Sequence, residues 1–131
     1  MMDRADTPES QRLRFRLSCL GKNDLATTVI TLEEQMRGWL AWLAQARTFE
    51  QQIERYRKLK RLLSRFQNIG LLDFDEHAVI ELKRLQQQRV RIGTMDLKIA
   101  AIALAHNATL LSRNLKDFSK VPGLQVEDWS T

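Results

Sequence analysis

The stretch RIGTMDLKIAAIALAH, Arg91 to His106, constrains the fold more than any other part of the chain. It is apolar nearly all round and not along one stripe, so a helix here must be covered on more than one side. Ala100, Ala101, Ala103 and Ala105 allow close approach by neighbouring elements. Gly93 breaks the chain ahead of it, Thr94 is available as its cap, and Asn107 suits a left-handed stop. One acid, Asp96, stands at its start. A carboxylate there either complements the helix dipole, which is worth roughly 0.3–1 kcal/mol, or belongs to a site.

The segments around it alternate between short apolar runs and helical periodicities. TPESQRLRFRLSCLG predicts a helix with Thr7 as cap, Pro8 in the first position, Gly21 as stop, and Leu13, Leu17 and Leu20 on one face. ATTVIT, Ala26 to Thr31, is β-branched and predicts a strand. A helix from about Leu32 to Ala46 follows, with Met36, Trp39, Leu40 and Leu43 inward. Trp39 and Trp42 cannot both face the core squarely, so Trp42 is expected half exposed. Thr48 and Gln51 have capping-box spacing at the start of the next helix, whose stripe is Ile53, Tyr56, Leu59, Leu63 and Phe66. Ile69 to Phe74 is a short strand. DEHAVIELKRLQQQR is a helix with Val79, Leu82 and Leu85 inward. ATLLS is a strand, NLKDF a helical turn, and Pro122-Gly123 a turn before a last strand. No repeat or linker divides the chain, so one domain over residues 1–131 is expected. Short apolar strands between helices predict a parallel sheet covered on both faces.

Composition narrows the function classes. The net charge of +5 favours a polyanionic partner, nucleic acid first among them. The run ERYRKLKRLLSR holds Arg55, Arg57, Lys58, Lys60, Arg61 and Arg65 and reads as a solvated helix face or a phosphate-binding surface. A single cysteine, Cys19, excludes an internal disulfide and a cysteine-cluster zinc site, and fits a reducing cytoplasm. No apolar run is long enough to span a bilayer. His77 and His106 have no ligand-spaced partner and read as surface or helix-end residues.

In open parallel sheets, ligands bind beyond the carboxyl ends of the strands, where helix N-termini also point. That rule selects Glu34, in the first turn after the strand ending VIT; Asp96; and Asn114 with Asp117, in the turn after ATLLS. Carboxylates converging there suit a hard divalent cation such as Mg²⁺ or Mn²⁺. Each acid also has a simpler reading. Thr31 and Glu34 fit a capping box, worth about 1 kcal/mol, and Asn114 and Asp117 have cap spacing of their own.

The C-terminal stretch RIGTMDLKIAAIALAHNATLLSRNLKDFSKVPGLQVEDW resembles the PIN-domain ribonucleases of the VapC toxin type, and TTVITLEEQMRG is similar to that family's second strand and following helix. The resemblance covers roughly Ala26 to Trp129. It implies a PIN-like three-layer α/β/α fold with a parallel sheet. It also implies Mg²⁺- or Mn²⁺-dependent cleavage of RNA by water, with acids as metal ligands. By position these are Asp96, Glu34 and, in SRNLKDF, either Asn114 or Asp117. A cognate antitoxin and a homodimer are further implications. The family opens with an apolar strand ending in an acid; MMDRADTPES has none, though Asp3 and Asp6 stand near its place. The expected fold therefore lacks that strand. A catalytically inactive module that binds an antitoxin or dimerises is the alternative reading.

Overall fold

The computed structural model describes residues 25–129, together with Pro8, Gln11, Arg12 and Phe15, which are helical. The expected cap Thr7, the face Leu13, Leu17 and Leu20, the stop Gly21, Cys19, and the stretch holding Asp3 and Asp6 lie outside the described residues. The chain divides into two compact units, one from Ala26 to Asp73 and the other formed by the rest. Among the described residues no helix is long and apolar enough to cross a membrane.

The first unit contains β1 (Ala26–Thr28), α1 (Val29–Ala44), α2 (Phe49–Gln67) and β2 (Gly70–Leu72). β1 and β2 pair in parallel, with Ala26 opposite Gly70 and Thr28 opposite Leu72. The strand expected to run to Thr31 ends three residues earlier. Thr28 sits in extended conformation as the N-cap of α1, and its Oγ1 accepts from the Thr31 backbone N–H at 3.0 Å. The cap wins over the β-branched run because it satisfies a donor that the first helical turn leaves free. Glu34 therefore lies in the second turn of α1, exposed, and does not close a capping box with Thr31.

At the start of α2, Thr48 Oγ1 accepts from the Gln51 N–H at 3.1 Å. Gln51 Oε1 accepts in return from Arg47 N–H at 2.8 Å, one residue before the cap, so the expected box forms in a displaced version. The inward face of α2 differs from expectation. Ile53, Tyr56 and Leu63 are exposed, while Leu62 is buried. The reason is on α1, where Trp39 is buried and Trp42 half-buried, the two rings meeting edge to face at 5.0 Å. The Arg55 guanidinium lies 4.6 Å from the Trp42 ring centroid and donates to the Trp42 carbonyl, and Lys58 Nζ lies 5.4 Å from the same ring. Leu59 and Phe66 of the expected stripe are half-buried, and Arg55 and Lys58 packed on Trp42 stand where the rest of the stripe was expected. Leu40, expected inward, is also exposed.

The second unit holds α3 (Glu76–Gln87), α4 (Thr94–Ala105), β3 (Leu110–Leu111), α5 (Leu115–Phe118) and β4 (Val126–Glu127). α3 and α4 pack along one another. Leu85, Leu97, Ala100, Phe118 and Val121 form its core, closed over by Leu82, Val90, Ile92, Leu104, Leu110, Leu124 and Val126. As its composition predicts, α4 is buried all round: Leu97, Ile99, Ala100, Ala101, Ile102 and Ala103 are all inside. β3 and β4 pair in parallel, Leu110 opposite Val126. Strand pairing is parallel throughout, and among the described residues it takes the form of two two-stranded pairs.

Both long helices of this unit stop on a left-handed residue. Asn107 (φ 52°) follows α4 as expected, with Ala108 N–H on the Ala103 carbonyl at 2.9 Å and Asn107 N–H on Leu104. Arg89 (φ 57°) ends α3 the same way, with Val90 N–H on the Leu85 carbonyl at 3.2 Å. These are Schellman closures, and Val90 supplies the accompanying apolar contact. Pro122-Gly123 forms the expected turn, with Gly123 at φ 81° and Leu124 N–H on the Val121 carbonyl. Proline then glycine at positive φ is the pattern of a type II turn.

Candidate functional site

Asp96 is the third residue of α4. Gly93 holds the N-cap position instead of Thr94, and no side chain caps the helix; Leu97 N–H bonds the Gly93 carbonyl at 2.9 Å. Leu97 is anchored in the core, so its neighbour Asp96 is fixed at the core's margin, half-buried. Burial, and secondarily the negative charge of Asp117, push the Asp96 carboxyl above its ordinary pKa. The charge of Asp117 on α5 thus bears on Asp96 at the start of α4.

Asp117 is the third residue of α5 and is held there by its neighbours on both sides. Phe118 beside it is buried in the core. Asn114 caps the helix: its Oδ1 accepts from Asp117 N–H at 3.3 Å, and its Nδ2 donates to Asp117 Oδ2 at 3.0 Å. The amide oxygen meets a donor and the amide nitrogen an acceptor, so both ends of the side chain are employed. Asn114 is itself placed by its N–H, which bonds Ser112 Oγ at 3.0 Å. Lys120 Nζ lies 3.6 Å from Asp117 Oδ1. The Asn114 hydrogen bond, with the charges of Lys120 and Lys116, holds the Asp117 carboxyl below its ordinary pKa, against a smaller opposing effect of burial.

Of the four residues selected from sequence, Asn114 and Asp117 meet in direct contact, and Asp96 stands in the same unit at the start of α4. Asn114 and Asp117 act as one piece, the amide locking the carboxylate. Glu34 stands exposed on α1 in the first unit. Ser112 and Lys120 were not singled out from sequence. Lys120 was detectable as the third residue beyond Asp117, the spacing of helical ion pairs; Ser112, two residues before a cap, gave no comparable signal.

The donor set is all oxygen, with no histidine or thiolate, which suits a hard cation and disfavours zinc. Among the described residues no three His, Cys, Asp or Glu side chains gather closely enough to form a complete cage. Mg²⁺ asks for less than a cage: one or two carboxylates and several retained waters. Asp96 and Asp117 are carboxylates of that kind, one at each of two helix starts.

A model of the PIN domain matches residues 3–124 of the chain. The chain belongs to the PIN-domain family. It is 35% identical over 118 residues to Ribonuclease VapC2 of Rickettsia felis, covering 86% of this chain and 81% of that protein. It is 29% identical over 126 residues to the tRNA(fMet)-specific endonuclease VapC of Salmonella typhimurium, covering 93% of this chain and 86% of that one. Its fold is similar to the solved structure of VapBC-1 from nontypeable Haemophilus influenzae, with a TM-score of 0.70 and 28% identity over 92% of this chain and 87% of that one. This PIN-domain protein is thus of the VapC type, with the helix-rich, parallel-stranded α/β fold of that group.

Proposed function

We propose that this PIN-domain protein is a divalent-metal-dependent endoribonuclease, the toxin of a toxin–antitoxin pair, acting in the cytoplasm on RNA with water as nucleophile. One observation carries the reading. Asp96 stands at the start of α4 and Asp117, tied to Asn114 Nδ2 at 3.0 Å, at the start of α5 in the same unit, all-oxygen donors of the kind a hard divalent cation takes. The similarity to proteins named as ribonuclease and as tRNA endonuclease supports RNA as the substrate. The fold similarity to VapBC-1, named for two components, supports a cognate antitoxin as partner. Family resemblance further suggests a homodimer. We read both units as one PIN domain, since the family match runs through both.

In this reading Asp96 and Asp117 would hold Mg²⁺ or Mn²⁺, and Glu34 is a further candidate ligand by its place in the family motif alone. The ion, when bound, makes water a nucleophile at neutral pH and offsets the charge gathering on the phosphodiester. Asn114 and Lys120 keep Asp117 ionised and fixed in direction. Asp96, rooted beside buried Leu97, would help hold the ion and orient the water it activates.

The full chain, purified free of antitoxin and incubated with mixed tRNA, should cleave with Mg²⁺ and stop with a chelator. Asp96→Asn should lose on the order of 10²-fold or more, since removing groups that merely support a metal site already costs 10–100-fold. Cleavage untouched by chelation or by Asp96→Asn rules the mechanism out. No cleavage at any metal concentration, with antitoxin binding intact, favours the inactive binding module.

A further inference from the structure

The basic character of this protein belongs to one helix. α2 carries Arg55, Arg57, Lys58, Lys60, Arg61 and Arg65 against Glu50 and Glu54, a local charge of +4 within a total of +5. From Arg55 to its end it has no acid. The six cations divide into two sets. Arg55 and Lys58 are engaged in packing on Trp42, and Lys58 also pairs with Glu54 at 3.2 Å. Arg57, Lys60, Arg61 and Arg65 are exposed, and among the described residues no ion pair or hydrogen bond holds their charged ends.

Those four share one face. Arg57, Arg61 and Arg65 recur every fourth residue, which stacks them about 6 Å apart along the helix axis over about 12 Å. Lys60 and Ser64 lie between them. Like charges at this spacing weaken a helix. Complementing the helix dipole requires cations only in the last turn, where Arg65 sits; Arg57 and Arg61 lie further back. A regular row of unpaired cations on a rigid element matches a regular row of phosphates.

We propose that this face of α2 holds the phosphate backbone of RNA. The inference rests on the reading of RNA as substrate and adds a second, non-catalytic contact borne by the first unit. The face fits nucleic acid better than protein. Protein interfaces centre on buried apolar or aromatic anchors and are depleted in Lys. The exposed apolar side chains Phe49, Ile53 and Tyr56 of α2 belong to its N-terminal half; between Arg57 and Arg65 only Leu63 is apolar and exposed, and it lies at the border of the face. Nucleic-acid interfaces are polar, positive and contacted largely through phosphate.

The test uses the full-length Asp96→Asn chain in chelator, with mixed tRNA as probe, so that binding is read without cleavage. The affinity is measured across salt concentrations. Each phosphate neutralised contributes roughly 0.7–0.9 to the slope of log affinity against log salt. Replacing Arg57, Arg61 and Arg65 together by Gln should flatten the slope by about 2–3. The matching Lys replacements should keep it. Arg61→Gln alone should remove about 1, and serves if the triple variant fails to fold. An unchanged slope in a folded triple variant overturns the proposal, as does a parent chain that does not bind tRNA. Loss of antitoxin binding with the salt slope intact overturns it in favour of a protein partner. Failure of the ribonuclease reading looks different: the parent does not cleave, yet the slope still responds to the arginines.

Discussion

Asp96 and Asp117 are chemically the same residue made unlike by place. Asp117 is bonded by Asn114 and flanked by Lys120, and stays ionised into more acid solution. Asp96 is desolvated and repelled by Asp117, and holds its proton to higher pH than a free aspartate does. The sign for stability follows. A carboxyl whose folded pKa is raised favours the folded state only while protonated, so its contribution worsens as pH climbs from the ordinary 3.8 through the raised value. Asp96→Asn should therefore gain stability relative to the parent across that window and hold the gain at neutral pH, while losing cleavage. Thermal midpoints of both proteins from pH 3 to pH 7 check this; a gap that narrows with rising pH contradicts it. A mutation that inactivates without weakening the fold marks a residue placed for chemistry.

Among the elements, the terminations and the faces were unequally legible. α4 was readable because its composition left one option: a helix apolar all round must be buried. Asn107 was readable as its stop because asparagine tolerates positive φ. Arg89 takes the same conformation without that preference, and sequence gave no hint of it. Arg89→Gly should stabilise the protein by roughly 0.5–1 kcal/mol by removing the Cβ clash of a left-handed residue, seen as a midpoint raised by a few degrees. The start of α1 misled because two threonines three residues apart, Thr28 and Thr31, each offered a cap. The face of α2 was legible in part: Leu59 and Phe66 of the expected stripe are half-buried, Ile53, Tyr56 and Leu63 are exposed, and Leu62 is buried in their stead. The cations packed on a tryptophan of α1 belong to a contact between helices, which has no period within either. One of those tryptophans remains polar in an apolar place: Trp39 Nε1 is buried with no hydrogen-bond partner among the described residues. An unsatisfied donor costs roughly 1–3 kcal/mol. Trp39→Phe, which removes it and keeps a ring, should cost less than about 1.5 kcal/mol, against about 3–5 for Trp39→Ala, measured by denaturant unfolding.

At the scale of the molecule, the parallel strands and the acids at helix starts were legible because they follow from how a chain alternates between strand and helix. The concentration of charge was visible in the run from Arg55 to Arg65, but not which of its cations were already engaged; that needed the Trp42 ring. If Asp96 and Asp117 bind the cation, Mg²⁺ should raise the thermal midpoint of the parent. At a hundredfold excess over the dissociation constant the stabilisation is about 2.7 kcal/mol. The Asp96→Asn chain should show little of it, and an equal rise in both places the ion elsewhere.

A charge of +4 gathered on one helix also concentrates the local field of the first unit. Such a molecule is turned by the field of a polyanion before the two touch, so that productive encounters outnumber those of an evenly charged protein of the same pI. If α2 holds RNA phosphates, the arrangement sets a rate as well as an affinity: capture should be fast in dilute salt and slow steeply as ions shorten the reach of the field.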